Sequence, residues 1–216
     1  MASLLHLDSS ASPIGQSVTR KLSAQYAHRW SGAYVRRDLV KDPVPLIGPA
    51  YVSLGTRVER NGVLPLDKVP AMAENVAEER EWALTEPLIA ELREADVVLL
   101  GVPMYNFGVP AALKAWIDRI SFPGAFIDPD TGESVLRDTR VIAVLARGGA
   151  YGQGSPREGC DFQTPYLRTY FGRLGVTDLR FVAAELTRAD DIPHLRGFRT
   201  AAAESLAAAR QQLATL

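Results

Sequence analysis

The sequence contains a single cysteine, Cys160, so no disulfide can form within the chain, and a reducing, cytoplasmic setting is expected. Its three histidines, His6, His28 and His194, are scattered and lack the spacing of a metal site. Neither charge is in surplus: 24 Lys and Arg against 25 Asp and Glu give a net charge of −1. That balance gives no electrostatic case for a nucleic-acid or anionic-membrane partner. No apolar run approaches the roughly 18 residues of a membrane span. The opening MASLLHLDSS has neither the basic n-region nor the long apolar h-region of a signal peptide. The glycine-rich G-x-G-x-x-G and G-x-x-x-x-G-K-[ST] patterns of dinucleotide and nucleoside triphosphate sites are missing, as is the G-x-S-x-G elbow of hydrolases.

What remains is an ordinary globular composition, 47% hydrophobic and 23% charged over 216 residues. That length suits one domain, residues 1–216. Ser3 to Leu7, Ala33 to Leu39, Asp96 to Val102, Arg140 to Ala146 and Asp178 to Ala184 read as strands. The third and fourth are near-continuous runs of valine, leucine and isoleucine, which mark strands covered on both faces, as in parallel sheets. Helical stretches alternate with them. Val18, Leu22, Tyr26 and Trp30 recur every four residues. Residues 71–95 are helical in composition, with Pro87 expected to start a new turn or kink the helix. Pro110 opens a helix carrying Leu113, Trp116, Ile117 and Ile120, and Thr164-Pro165 caps and opens another. An alanine-rich helix, residues 201–213, closes the chain. Two excursions interrupt the alternation: a proline-rich connection over 41–70, read as irregular with at most one short helix, and a loop or hairpin over 122–137. Five strands in regular alternation with helices predict an α/β, flavodoxin-like three-layer sandwich with sheet order 2-1-3-4-5. Ligands of such a sheet bind beyond the carboxyl ends of strands 1, 3 and 4.

Three unusual loops fall there. After strand 1 comes Ser9-Ser10-Ala11-Ser12-Pro13-Ile14-Gly15-Gln16-Ser17, which opens a helix at about Gln16. Unpaired N–H groups at a helix start, with serine hydroxyls beside them, suit a phosphate; helix capping alone is the plainer use of the same serines. After strand 3 comes Pro103-Met104-Tyr105-Asn106-Phe107-Gly108-Val109-Pro110, stiff and aromatic, suited to a flat ring. After strand 4 comes Ala146-Arg147-Gly148-Gly149, where glycines permit close backbone approach.

Ser10 with Gly15-Gln16-Ser17, then Pro103 to Phe107, then Arg147-Gly148-Gly149, resemble the FMN-dependent NADH:quinone oxidoreductases known as azoreductases, and the likeness extends to Thr164-Pro165-Tyr166-Leu167. The resemblance implies a homodimer binding FMN, with NADH or NADPH as donor and quinones or azo compounds as acceptors, in a ping-pong reaction. It assigns FMN contacts to Ser10, Gly15, Gln16, Ser17, Pro103, Met104, Tyr105, Asn106, Phe107, Ala146, Arg147, Gly148 and Gly149. Gly15 stands where some relatives carry a serine, so a backbone N–H must suffice there, and Ala146 stands where a serine is common, which removes one hydrogen bond but leaves the backbone path intact. The Asn106 amide is expected near the flavin N5, the Gly148 and Gly149 amides near N1 and O2, and Arg147 is considered as a positive charge for the reduced ring. Phe126, Tyr151 and Phe162 are candidates for stacking on the substrate. No side chain is expected to act as a nucleophile or metal ligand. Two other readings stay open: a flavodoxin-type electron carrier, and an esterase or phosphodiesterase using Ser10 or Ser17.

Overall fold

A computed structural model describes all 216 residues. Five strands, β1 (Ser3–Asp8), β2 (Ala33–Asp38), β3 (Val97–Pro103), β4 (Arg140–Ala146) and β5 (Asp178–Ala184), form one parallel sheet in the order β2-β1-β3-β4-β5. The expected order and all five strands are present. Helices α1 (Val18–Ala27), α2 (Pro49–Arg60), α3 (Val76–Arg93), α4 (Ala111–Ile120), α5 (Gln163–Arg173) and α6 (Arg199–Thr215) connect them. No helix is long and apolar enough to cross a membrane.

The strands explain the two-faced core. Leu5, Val98, Leu100, Val141, Ala143 and Leu145 enter the larger cluster, with Leu88 and Ile89 of α3 and Trp116 and Ile117 of α4. Their neighbours Leu4, Leu99, Ile142 and Val144 point the other way, against Leu22 of α1 and Leu213 of α6. Each fully buried aliphatic side chain contributes about 1.5–3 kcal/mol, so both faces must be covered. When both faces are apolar, alternation no longer distinguishes one register from a slip by one residue. A special pair at the strand ends does. Gly101 sits beside Asp8 across β1 and β3, and a Cβ on Gly101 would lie 2.8 Å from Asp8 Oδ1. A slip would press a leucine or valine against that carboxylate.

Four expectations are corrected. The 41–70 connection is not mainly irregular: Pro49 is the first residue of the twelve-residue α2, and a 3-10 helix spans Leu66–Met72. Pro87 lies inside a continuous α3. Helix α1 begins after Ser17 and ends at Ala27, short of Trp30. Helix α5 begins at Gln163, and the Asp161 carboxylate, not Thr164, accepts from the first N–H groups (Gln163 N 2.9 Å, Thr164 N 3.0 Å). The 122–137 excursion carries an antiparallel bridge between Ile127 and Ser134, as a hairpin would.

Candidate active site

The first loop is built on serines. Ser9 anchors it to the sheet, donating from both N (3.1 Å) and Oγ (2.8 Å) to the Gly101 carbonyl. Ser17 caps α1, its hydroxyl accepting from Arg20 N at 3.3 Å and donating to Ser10 Oγ at 2.8 Å. Ser10 Oγ also accepts from Ser12 N at 3.2 Å. Val18 and Thr19, the first two residues of α1, have N–H groups without an acceptor inside the helix.

The second loop folds as a two-residue turn. Tyr105 and Gly108 exchange backbone hydrogen bonds of 3.1 and 3.0 Å, and Asn106 and Phe107 between them have φ of 49° and 71°. A phenylalanine in left-handed backbone costs of order 1–3 kcal/mol, which the surrounding structure must hold in place. The turn is tied on both sides. The Tyr105 hydroxyl accepts from Ala11 N at 3.0 Å, linking it to the first loop. The Phe107 carbonyl accepts from Phe162 N at 3.1 Å.

The third loop is braced from below. Arg147 is 5% exposed and pairs with Asp161 at 2.7 Å and Glu185 at 3.0 Å. Burial pushes the Asp161 carboxyl up, but hydrogen bonds from Thr164 and the Arg147 charge outweigh it and hold it below the ordinary carboxylate value. The Arg147 charge is therefore neutralised within the protein. It acts as a staple between the β4, β5 and α5 ends rather than as a charge presented to a ring, and the expectation placed on its side chain is corrected. The aliphatic stem of Arg188 packs over Gly148, with Cδ 2.8 Å from where a Cβ would be, and Arg157 Nη1 stands 3.0 Å from the corresponding point at Gly149. Larger residues there would displace both arginines.

These loops enclose one cleft of about 390 Å³. Ser10, Gln16, Ser17, Pro103, Met104, Tyr105, Ala146 and Gly148, all among the residues assigned to FMN contact by the resemblance, line it. Gly15, Asn106, Phe107, Arg147 and Gly149 belong to the same loops but are not among the lining residues. The sequence reading missed the fourth wall, Thr187, Arg188 and Asp191 of the β5–α6 connection, which no motif announces. Among the substrate candidates, Tyr151 stacks edge-on to Phe107 with ring centres 6.4 Å apart, and Phe162 is exposed beside them. Phe126 is set apart: it is 4% exposed and packed into the larger core cluster. A side chain buried in that cluster and absent from the cleft lining serves packing, so Phe126 is not carried forward as a substrate contact.

The donor set fits a flavin mononucleotide. Hydroxyls and free N–H groups gather at the α1 end, and a rigid aromatic turn stands at the other. For hydrolysis the arrangement is poor. The one histidine on β1, His6, faces Tyr34 (Nδ1 to Oη 2.9 Å) and Asp8 (Nε2 to Oδ1 3.4 Å), and the Ser10 and Ser17 hydroxyls bond each other.

A family model described as the flavodoxin-like fold matches residues 2–213. An FMN-dependent NADH:quinone oxidoreductase of Nocardia farcinica is 41% identical over 205 residues, 92% of this chain and 90% of that one. A protein of the same name from Frankia alni is 36% identical, covering 99% of this chain and 97% of its own length. The fold is also that of a crystal structure of azoreductase from Bacillus anthracis, at TM-score 0.78 and 23% identity, covering 100% of this chain and 98% of that one. A Bacillus anthracis FMN-dependent NADH-azoreductase in complex with FMN superposes at TM-score 0.70 with 19% identity, covering 99% of this chain and 100% of its own. The chain belongs to the flavodoxin-like family of FMN-dependent NADH:quinone oxidoreductases.

Proposed function

We propose that this chain is a cytoplasmic, homodimeric FMN-dependent oxidoreductase that takes electrons from NADH, or alternatively NADPH, and reduces quinones by two electrons or cleaves aromatic azo bonds. The observation that carries the reading is the convergence of three loops, from β1, β3 and β4, on one cleft with phosphate-type donors at one end and an aromatic turn at the other. FMN, when bound, supplies the hydride acceptance and two-electron delivery that no side chain of this protein provides. The residues position and shield. Ser10 and Ser17 hydroxyls and the Val18 and Thr19 N–H groups hold the phosphate. Pro103, Met104 and Tyr105 would wall the ring, and the backbone N–H groups of Gly148, with those of Asn106 and Gly149 from the same loops, would favour the negative charge that reduction adds. Phe107, Tyr151 and Phe162 offer the acceptor ring an apolar stacking surface and exclude water.

A flavodoxin-type carrier leaves its flavin edge open to a protein partner. Here α2, the 3-10 helix Leu66–Met72 and the 122–137 hairpin are additions that a carrier does not need. The visible spectrum of the purified protein, before and after NADH without oxygen, tests the reading. A flavin spectrum bleached by NADH and restored by a quinone is expected, in a preparation that sediments at twice the chain mass. A colourless protein that binds no added FMN overturns the cofactor, and an FMN-loaded, active monomer overturns the dimer.

A further inference from the structure

Behind the first loop, on the side away from the cleft, lies a cluster of four charges. Asp8 ends β1 and is 1% exposed; Asp38 ends β2; Arg20 stands in the first turn of α1 and is 7% exposed. Arg20 forms a two-pronged pair with Asp38, Nη1 to Oδ2 at 2.6 Å and Nη2 to Oδ1 at 2.8 Å, and lies 3.6 Å from Asp8. Arg36 pairs with Asp8 at 2.6 Å. Two cations face two anions, so the cluster adds no net charge to the site. Buried ion pairs are weak evidence for stability, because an apolar replacement of similar volume is often no worse. Stability alone therefore does not account for an arginine here.

One contact outside the cluster gives it a use. Arg20 Nη2 donates to the carbonyl oxygen of Ser10 at 2.6 Å. Ser10 lines the cleft and also the neighbouring hollow over β2, whereas Arg20 lines only the hollow. The guanidinium therefore pulls the negative end of the Ser10 peptide away from the cleft. Released, that carbonyl could turn toward a bound phosphate and repel it. Arg20 Nε is buried without a partner, which leaves the side chain anchored by its two Nη groups alone.

We propose that Arg20 is the positioning residue for phosphate recognition: it clamps the Ser10 carbonyl from behind the loop, turns the loop's donors toward the cleft, and so makes the protein select FMN over riboflavin. The proposal rests on the FMN reading above. Riboflavin has the same ring and ribityl chain but no phosphate, so the ratio of the two dissociation constants isolates the phosphate's contribution. Apo protein is titrated with each flavin, following the quenching of flavin fluorescence. In Arg20→Gln, FMN is expected to bind about tenfold or more weakly while riboflavin changes by less than about twofold, since the loss is that of a charge-assisted interaction serving only the phosphate. Arg20→Lys should recover part of the ratio, because a single ammonium cannot hold Asp38 and the Ser10 carbonyl with the same fork. A merely structural arginine would weaken both flavins alike or neither, and either result overturns the proposal. If Arg20→Gln does not fold, Asp38→Asn keeps the guanidinium but unpins it, and an unchanged ratio in that variant overturns the proposal as well. Failure of the parent reading looks different: wild-type protein then binds neither flavin, or binds both equally, before any variant is made.

Discussion

Ser17 has two roles that one substitution removes together. Its hydroxyl caps α1 through Arg20 N, and it donates to Ser10 Oγ at the wall of the cleft. Losing a serine cap costs about 1 kcal/mol of stability. With FMN bound, the single Ser17 proton would turn from Ser10 Oγ to the phosphate, and losing that hydrogen bond to a charged group costs about 1.5–3 kcal/mol of binding, a roughly 10- to 150-fold weaker affinity. Ser17→Ala should therefore lower the denaturation midpoint slightly and FMN affinity strongly, read by denaturant titration and by flavin fluorescence. Lost stability with unchanged FMN affinity would leave Ser17 a cap and nothing more. The serine loop was legible because its chemistry is local: hydroxyls, a helix start and a strand end within nine residues. Arg147 and Phe126 were not. Whether an arginine is offered to a ligand or neutralised depends on Asp161 and Glu185, 14 and 38 positions away. Whether a phenylalanine faces a pocket depends on which helices cover it. The Arg188 wall was invisible for the same reason, since an arginine in a polar loop has no local signature.

At the scale of elements, the strands could be read because β-branched and leucine runs buried on both faces have few other uses, and β4 and β5 fall at the residues expected. The place and length of α2 were not legible, although a short helix was allowed for in this stretch, because Pro43, Pro45 and Pro49 with nearby glycines look like a loop. Pro49 is in fact tolerated as a first helical residue, where its missing N–H has no partner to lose. Gly55 in the middle of α2 deepened the misreading. It is buried over Phe122 and Pro123, but a Cβ added there would meet Pro123 Cδ at 3.6 Å and Phe122 Cε2 at 3.7 Å, ordinary contacts. Its backbone has no left-handed requirement, so the glycine weakens the helix without a steric reason. Gly55→Ala should raise unfolding stability by about 0.5–1 kcal/mol, measured by denaturant titration. A loss instead would mean that α2 packs against the 122–137 hairpin too tightly for a single methyl. Either way NADH oxidation should be unchanged, because α2 does not line the cleft.

Carboxylates held below their ordinary values are spread over the whole molecule: Asp8, Asp38 and Asp161 stand at the ligand-binding end of the sheet, whereas Asp96 and Asp178 lie at its opposite end and Asp128 and Glu78 apart from it. The Arg20 hydrogen bond, reinforced by N–H groups of Lys41 and Val40, takes Asp38 down to about 2. Burial pushes Asp8 up, but His6 and Arg36 outweigh it, so it too lies below its usual value. Asp161 behaves likewise beside Thr164 and Arg147. Away from the cleft, the Arg57 hydrogen bond brings Glu78 to about 2. In the unfolded chain these groups titrate near about 3.9 and 4.3. A carboxylate with a depressed folded pKa adds stability that is fully present above its unfolded value and is lost as pH falls toward its folded value. Stability should therefore hold from neutrality down to about pH 5 and fall steeply between about pH 4 and pH 2. Of these, Asp38 and Asp161 brace the loops that line the cleft, through Arg20 and Arg147. Protonation should therefore loosen the Ser10 loop and the third loop before the sheet gives way, and FMN should leave at a higher pH than the one at which helical circular dichroism is lost. Following flavin fluorescence and circular dichroism together through an acid titration tests this. Asp38→Asn, which has no charge to lose at that position, should shift flavin release already at neutral pH and flatten its acid dependence. Coincident transitions in the wild type, with no effect of Asp38→Asn on either, would show that the charge cluster stabilises the fold as a whole and does not brace the loop.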